Sequence, residues 1–229
     1  MTVARGFDIL RHAQPAPLSG RPSAARTRLR AQVLAMAREE ALVEAAYSYK
    51  IVELEAPAAT TLHAGGESLE APWLLPASGE LTALGCAVCT IGPKLERRVS
   101  ELFAQRRASL AMALDELGNE LLFEISRRAQ DRMQAEVARR GWSMSGELRA
   151  GDPGLALNAQ GAVLRLACAD SVGISLGRTM LMHPLKSTSM VLGVGVDLPP
   201  SNWSRCDTCK TRDKCGVRAR ALAAASAAA

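Results

Sequence analysis

Cys206, Cys209 and Cys215 are the residues of this chain whose type and spacing best suit chemistry. Two residues separate Cys206 from Cys209, so a tight turn brings both thiolates to one ion, and Cys215 follows close behind. A third thiolate leaves one ligand to be supplied from elsewhere. Arg205, Lys210, Arg212, Lys214 and Arg218 surround the trio. Such cations lower thiol pKa values and offset the negative charge of a thiolate-bound centre. An all-thiolate set suits structural zinc and an iron–sulfur cluster alike, and spacing does not separate the two.

Cys86 and Cys89 form a second Cys-x-x-Cys pair, set in an apolar stretch that reads as a strand. Side chains alternate along a strand, so these two thiols point to opposite faces and at most one joins the C-terminal trio. Cys89, at the strand end, is the expected fourth metal ligand. Cys168 sits among apolar residues of a predicted helix and reads as a small buried hydrophobe.

The compartment decides how six cysteines are read. Met1 to Phe7 holds no apolar stretch of the kind that secretion requires, and no run reaches the roughly 18–20 apolar residues that span a bilayer. The expectation is a cytoplasmic protein in which close cysteine spacings are metal, cluster or redox sites rather than disulfides. The net charge of +5 comes largely from arginines near Arg21 to Arg30, at Arg97, Arg98, Arg106 and Arg107, and around the last cysteines. Only 3% of residues are aromatic, so no aromatics interleave with these arginines as in single-strand binding grooves. The arginines read as solvated helix faces, and neither a nucleic-acid nor a membrane partner is expected.

The elements that must position these groups follow from periodicity. Pro15 to Pro22 is a link rich in Pro, Gly and Ser. A helix is expected from about Ser23 to Ala46, giving an N-terminal helical arm over 1–46. Tyr49 to Glu55 alternates as a strand, and Leu81 to Ile91 is a second. Pro93 suits the first position of the helix that follows, with Thr90 or Gly92 to cap it. The long helix from about Ser109 to Arg139 buries Leu110, Leu114, Leu117, Leu121, Ile125, Met133 and Val137. Gly118 interrupts it at a cost of about 1 kcal/mol relative to alanine, which implies close packing against a neighbour. Trp142 to Arg149 reads as a strand, Gly151-Asp-Pro-Gly154 as a turn, and Asn158 to Cys168 as a short helix capped by Asn158. Ile174 to Met180 and Ser187 to Val196 are the last strands. The fold class is α+β, a mostly antiparallel sheet flanked by helices. The domain spans 47–200, the cysteine segment 201–218 and an Ala-rich tail 219–229.

A glycine-rich turn after a strand exposes backbone donors and acceptors to a ligand. Arg149 adds a guanidinium fork suited to a carboxylate. The candidate ligand site therefore comprises Arg149, Gly151, Asp152, Pro153 and Gly154. The same residues also describe a plain chain reversal with a surface arginine. His183, Lys186 and Ser187 form a candidate polar patch between the last strands.

Five segments, taken in order, carry a resemblance. They are Cys89-Thr-Ile-Gly-Pro-Lys-Leu-Glu96, Leu114-Asp-Glu-Leu-Gly118, Gly151-Asp-Pro-Gly154 with Leu157 and Gln160, Val172-Gly-Ile-Ser-Leu176, and Met182-His-Pro-Leu-Lys-Ser-Thr-Ser189. Their order and spacing, from about Leu81 to Arg218, resemble the activation domain of cobalamin-dependent methionine synthase. They resemble still more the stand-alone activation-domain-like proteins found beside corrinoid methyltransferases. The resemblance implies a curved, mainly antiparallel sheet with flanking helices. It also implies a domain that binds S-adenosylmethionine and meets the corrinoid when inactive Co(II) must be reduced and remethylated. The family's ligand stretch is an arginine followed by a Pro-Gly-Tyr turn, and here Leu155 stands where the tyrosine belongs. No Asp-x-His-x-x-Gly is present, so the cobalamin is expected on a partner.

Three functions fit these observations. The first is an accessory protein that docks on a corrinoid protein or methyltransferase and supports reductive reactivation of its cobalamin, through an Fe–S cluster. The second is a non-catalytic binding module stapled by zinc. The third is an S-adenosylmethionine-related methyltransferase with an altered cleft.

Overall fold

The computed structural model describes residues 1–13 and 23–199. In chain order the regular elements are β1 (Thr2–Arg5), α1 (Ala24–Glu39), β2 (Ala46–Glu53), β3 (Thr61–Ala64), β4 (Glu67–Glu70) and β5 (Glu80–Thr90). They continue with α2 (Lys94–Ala104), α3 (Ala108–Arg139), β6 (Ser143–Leu148), α4 (Gln160–Leu166), β7 (Ser175–Leu176), β8 (Met182–His183) and β9 (Ser187–Val196). Five strands make one sheet in the order β1-β2-β5-β9-β6, and every pairing in it is antiparallel. The expected α+β class with a mainly antiparallel sheet and flanking helices is the architecture observed.

Alternation along β5 sorts the core into two layers. Ala83, Ala87 and Cys89 face α3 together with Met190, Leu192 and Val194 of β9. Leu84, Cys86 and Val88 face the other way, onto α4 and the β3–β4 hairpin, where Leu62, Leu69, Val163 and Leu166 complete a second apolar cluster. The two Cys-x-x-Cys thiols thus stand on opposite faces, as strand geometry requires. Gly118 also has the reason the sequence suggested: a Cβ there would lie 2.9 Å from Leu95 Cδ2. The bare backbone lets α2 sit against α3. All seven apolar residues expected along α3 are buried.

Four elements differ from the sequence reading. Residues 1–46 are not wholly helical: Thr2–Arg5 extends the sheet by pairing with β2, and α1 ends at Glu39. The β3–β4 hairpin turns through Gly65 and Gly66 at φ +58° and +77°, the left-handed pair that a two-residue hairpin favours. The region read as a strand from Ile174 to Met180 pairs only at Ser175–Leu176, since Gly177 and Met180 form a tight turn there. Asn158 caps nothing: α4 begins after a short 3₁₀ turn, and Ala159 occupies its N-cap without a side-chain bond.

Candidate functional site

β5, β9 and β6 meet at one end of the sheet, where Thr90, Ser187 and Arg149 stand. Arg149 follows the last residue of β6, and all three of its guanidinium nitrogens are engaged. Nε and Nη2 donate to Glu147 Oε1 at 2.9 and 2.8 Å, and Nη1 donates to Thr188 Oγ1 at 2.9 Å. Glu147 Oε2 accepts in turn from Gln130 Nε2 of α3 at 2.9 Å. Spacing explains this chain of contacts. Glu147 and Arg149 are two apart on an extended strand and so share its α3-facing side. Thr188 shares that side because it is the cross-strand partner of Cys89.

The Arg149 backbone N–H donates to Asp152 Oδ2 at 2.9 Å, and Asp152 N–H returns a bond to Arg149 O at 2.8 Å. This Asx-type closure forms the turn, with Gly151 at φ +95° and Gly154 at φ +85°. A Cβ at Gly154 would lie 2.5 Å from Trp73 Cγ, so the turn packs directly on the indole. Leu155, at the position of the family's tyrosine, points inward at 1% exposure and belongs to the second apolar cluster. Pro153 and Gly151 remain exposed. The turn that was expected to cradle a ligand is therefore also an internal brace, with its arginine turned toward a carboxylate of the same strand.

The candidate patch of His183, Lys186 and Ser187 is not a single surface. His183 lies on β8 and is exposed, directly before a cis peptide to Pro184. Lys186 is turned inward: Nζ contacts Asp115 Oδ1 at 2.7 Å and Asn119 Oδ1 at 2.7 Å, and its N–H donates to Glu96 Oε2 at 3.2 Å. Ser187 is buried and donates from Oγ to Thr90 Oγ1 at 2.9 Å. Lys186 and Ser187 thus anchor the β8–β9 connection, which exposes Leu185 at 55%, and Leu181 in the β7–β8 turn is exposed equally. Beside it, Pro184, Thr90, Pro93, Phe7, Glu44 and Val172 line a cleft of about 630 Å³.

The cysteines divide sharply. Cys206, Cys209 and Cys215 lie outside the described residues. Cys89 is fully buried against α3, and its thiol is pushed up to about 12, chiefly by burial, against the opposing effects of a Ser126 hydrogen bond and the Arg149 charge. Cys89, the expected fourth metal ligand, is thus enclosed between β5 and α3 in this structure. Cys86 is likewise enclosed, its thiol also pushed up to about 12 by burial. Cys168 departs from its reading as a buried helix residue. It is partly exposed, lies beyond the end of α4 and adopts φ +55°. Among the described residues no group of three or more His, Cys, Asp or Glu side chains is arranged to hold a metal. Nor, among those residues, is any helix long and apolar enough to cross a membrane.

Glu147, Gln130 and Thr188 are site residues that sequence reasoning missed. The Glu-Leu-Arg alternation at 147–149 was the available signal for the first, since period two places its outer members side by side. Nothing local points to Gln130 or Thr188, which arrive from α3 and β9.

No family model and no curated protein matches the chain. Among solved structures, that of the MetH reactivation domain bound to AdoHcy is similar, with a TM-score of 0.63 over 86% of this chain and 79% of that one. Sequence identity between them is 11%. What the likeness defines is a fold: this chain is an α+β protein with the architecture of the MetH reactivation domain. The particular ordered segments read from Cys89 to Ser189 lie within that fold, on β5, α2, α3, the β6–α4 turn and β7 to β9.

Proposed function

We propose that this chain is an accessory protein that docks on a corrinoid protein or corrinoid methyltransferase and supports reductive reactivation of its cobalamin. The observation that carries the reading is the reactivation-domain fold, which extends over most of the chain despite low identity. The exposed Leu181 and Leu185 offer apolar surface on the two loops that flank β8, and Pro184 of the second loop lines the 630 Å³ cleft at the sheet end. Such a surface suits a partner that brings a large, largely apolar group. His183, on β8 between these loops, is an exposed donor or acceptor.

The cysteine segment extends this reading. Three thiols with close spacing and flanking cations suit an iron–sulfur cluster or zinc. A cluster held by Cys206, Cys209 and Cys215 would supply one-electron reducing chemistry. The fourth ligand in this proposal comes from the partner or from solvent, because Cys89 is enclosed beneath α3.

A ligand related to S-adenosylmethionine is the remaining cofactor suggested by the likeness, because the neighbour is described with AdoHcy. The residues here fit such a ligand poorly at the β6–α4 turn. Arg149 is bonded to Glu147 and Thr188, and Leu155 is buried. The cleft beside Pro184 is a separate place where a ligand could enter with the partner.

Anaerobic purification, metal analysis and titration against a corrinoid protein in its Co(II) state test the proposal. Iron, a bleachable visible absorption and loss of the Co(II) paramagnetic signal in the presence of a reductant are expected. Zinc alone, with no effect on the cobalt signal, would replace this function with that of a zinc-stapled binding module.

A further inference from the structure

Independently of the corrinoid reading, we infer that Glu147 is a specificity-determining residue that closes Arg149 to carboxylate ligands. Glu147 Oε1 occupies the Nε–Nη2 edge of the guanidinium at 2.9 and 2.8 Å. That edge is one of the guanidinium's two bidentate edges, where two parallel N–H donors match a carboxylate; the other, Nη1–Nη2, is flanked by Thr188. The remaining nitrogen, Nη1, is on Thr188 at 2.9 Å. The chain itself thus provides the anion that a carboxylate-bearing ligand would bring.

Three features make this a built closure rather than a passing surface contact. Glu147 and Arg149 are joined through one strand residue, so the pair forms with little loss of freedom. Gln130 of α3 holds the second carboxylate oxygen at 2.9 Å. The pair is also shielded, with side-chain exposures of 30% for Glu147 and 17% for Arg149. An incoming carboxylate would have to displace Glu147 and then lie next to it, with the Asp152 carboxylate close by at the turn. Like charges in one partly buried site oppose that exchange.

The inference predicts what opening the pair would do. Glu147→Ala leaves Arg149 with Thr188 and an open two-donor edge. Nitrogen-15 NMR of the Arg149 Nε–H, with acetate as the probe, reads that edge directly. The wild-type resonance should stay in place, while in E147A it should shift saturably, with apparent affinity raised by at least about tenfold, equivalent to one modest charged contact. Acetate binding followed by calorimetry should show the same gain in E147A and lose it in E147A/R149A. Glu147→Gln, which keeps the bulk and loses the charge, should show a smaller gain and serves if E147A fails to fold. Calorimetry with AdoHcy should likewise find no Arg149-dependent binding to the wild type. A wild-type Nε–H that responds to acetate as strongly as the variant overturns the inference. So does a folded E147A, or E147Q in its place, that responds no better than wild type.

Discussion

Thiol labelling separates a core cysteine from a ligand cysteine, and Cys89 is the residue on which that distinction turns. Its exposure is 0% and burial pushes its thiol up to about 12. At pH 8 an ordinary thiol of pKa about 8.5 is roughly one quarter thiolate, whereas a thiol at about 12 is ~10⁻⁴ thiolate, a difference of about 2,000-fold in reactive species. Steric enclosure slows the reaction further, because the reagent needs the sheet and α3 to part. The experiment uses the folded chain with Cys206, Cys209 and Cys215 changed to Ser, so that Cys86, Cys89 and Cys168 are the thiols left. Iodoacetamide is added at pH 8, and labelled peptides are quantified by mass spectrometry over time. Partly exposed Cys168 should label first, with enclosed Cys86 and Cys89 far behind it. In parallel, Cys89→Ala in the otherwise native chain should keep its full metal content, while Cys206→Ser should not. The reasoning fails if Cys89 labels as quickly as Cys168, or if C89A alone empties the metal site.

The same two buried thiols set an alkaline limit on stability. The unfolded chain ionises them near pH 9 and the folded chain near 12, so their contribution is intact below about pH 9 and falls as pH rises toward 12, by about 1.4 kcal/mol per pH unit per thiol. Urea midpoints between pH 8 and 11 should decline accordingly, and a C86A/C89A variant should flatten the decline. Gly195→Ala should cost about 3 kcal/mol, because its Cβ would run into the Glu80 carbonyl oxygen at the β5 irregularity; chemical denaturation measures it. Glu120→Ala should cost more than Glu116→Ala, since Arg30 is 5% exposed and loses a carboxylate held at 2.6 Å, whereas Glu116 pairs with half-exposed Arg26 and should cost about 1 kcal/mol or less. Thermal melts of the two variants give the comparison.

Much of the scaffold was legible because long elements repeat their signal. The α3 stripe, the opposed facing of Cys86 and Cys89, and the strands at β2, β5, β6 and β9 each rest on several residues that agree about one period. Short elements lack that redundancy. Thr2–Arg5 carries only one alternating cycle before the chain turns away, and the β3–β4 hairpin announced itself only through Gly65-Gly66. Both depend on a sheet or cluster already present to receive them. The site was less legible than the scaffold. Arg149 and its turn were visible as residue types, but what they bond was not.

The sequence by itself determined the two-faced strand that carries Cys86 and Cys89, the long helix that covers one face, the bare backbone contact at Gly118 and the close spacing of Cys206, Cys209 and Cys215 along the chain. These are consequences of periodicity, residue volume and donor chemistry, which act over a few neighbouring positions. Only the tertiary structure decided that Arg149 is engaged by Glu147 and Thr188, that Lys186 points inward to Asp115 and Asn119, and that Cys89 is walled in by α3. Each of those outcomes joins residues far apart in the chain or sets how deeply a group is buried. Charge and ligand availability depend on both, and neither is a property of a local run of residues.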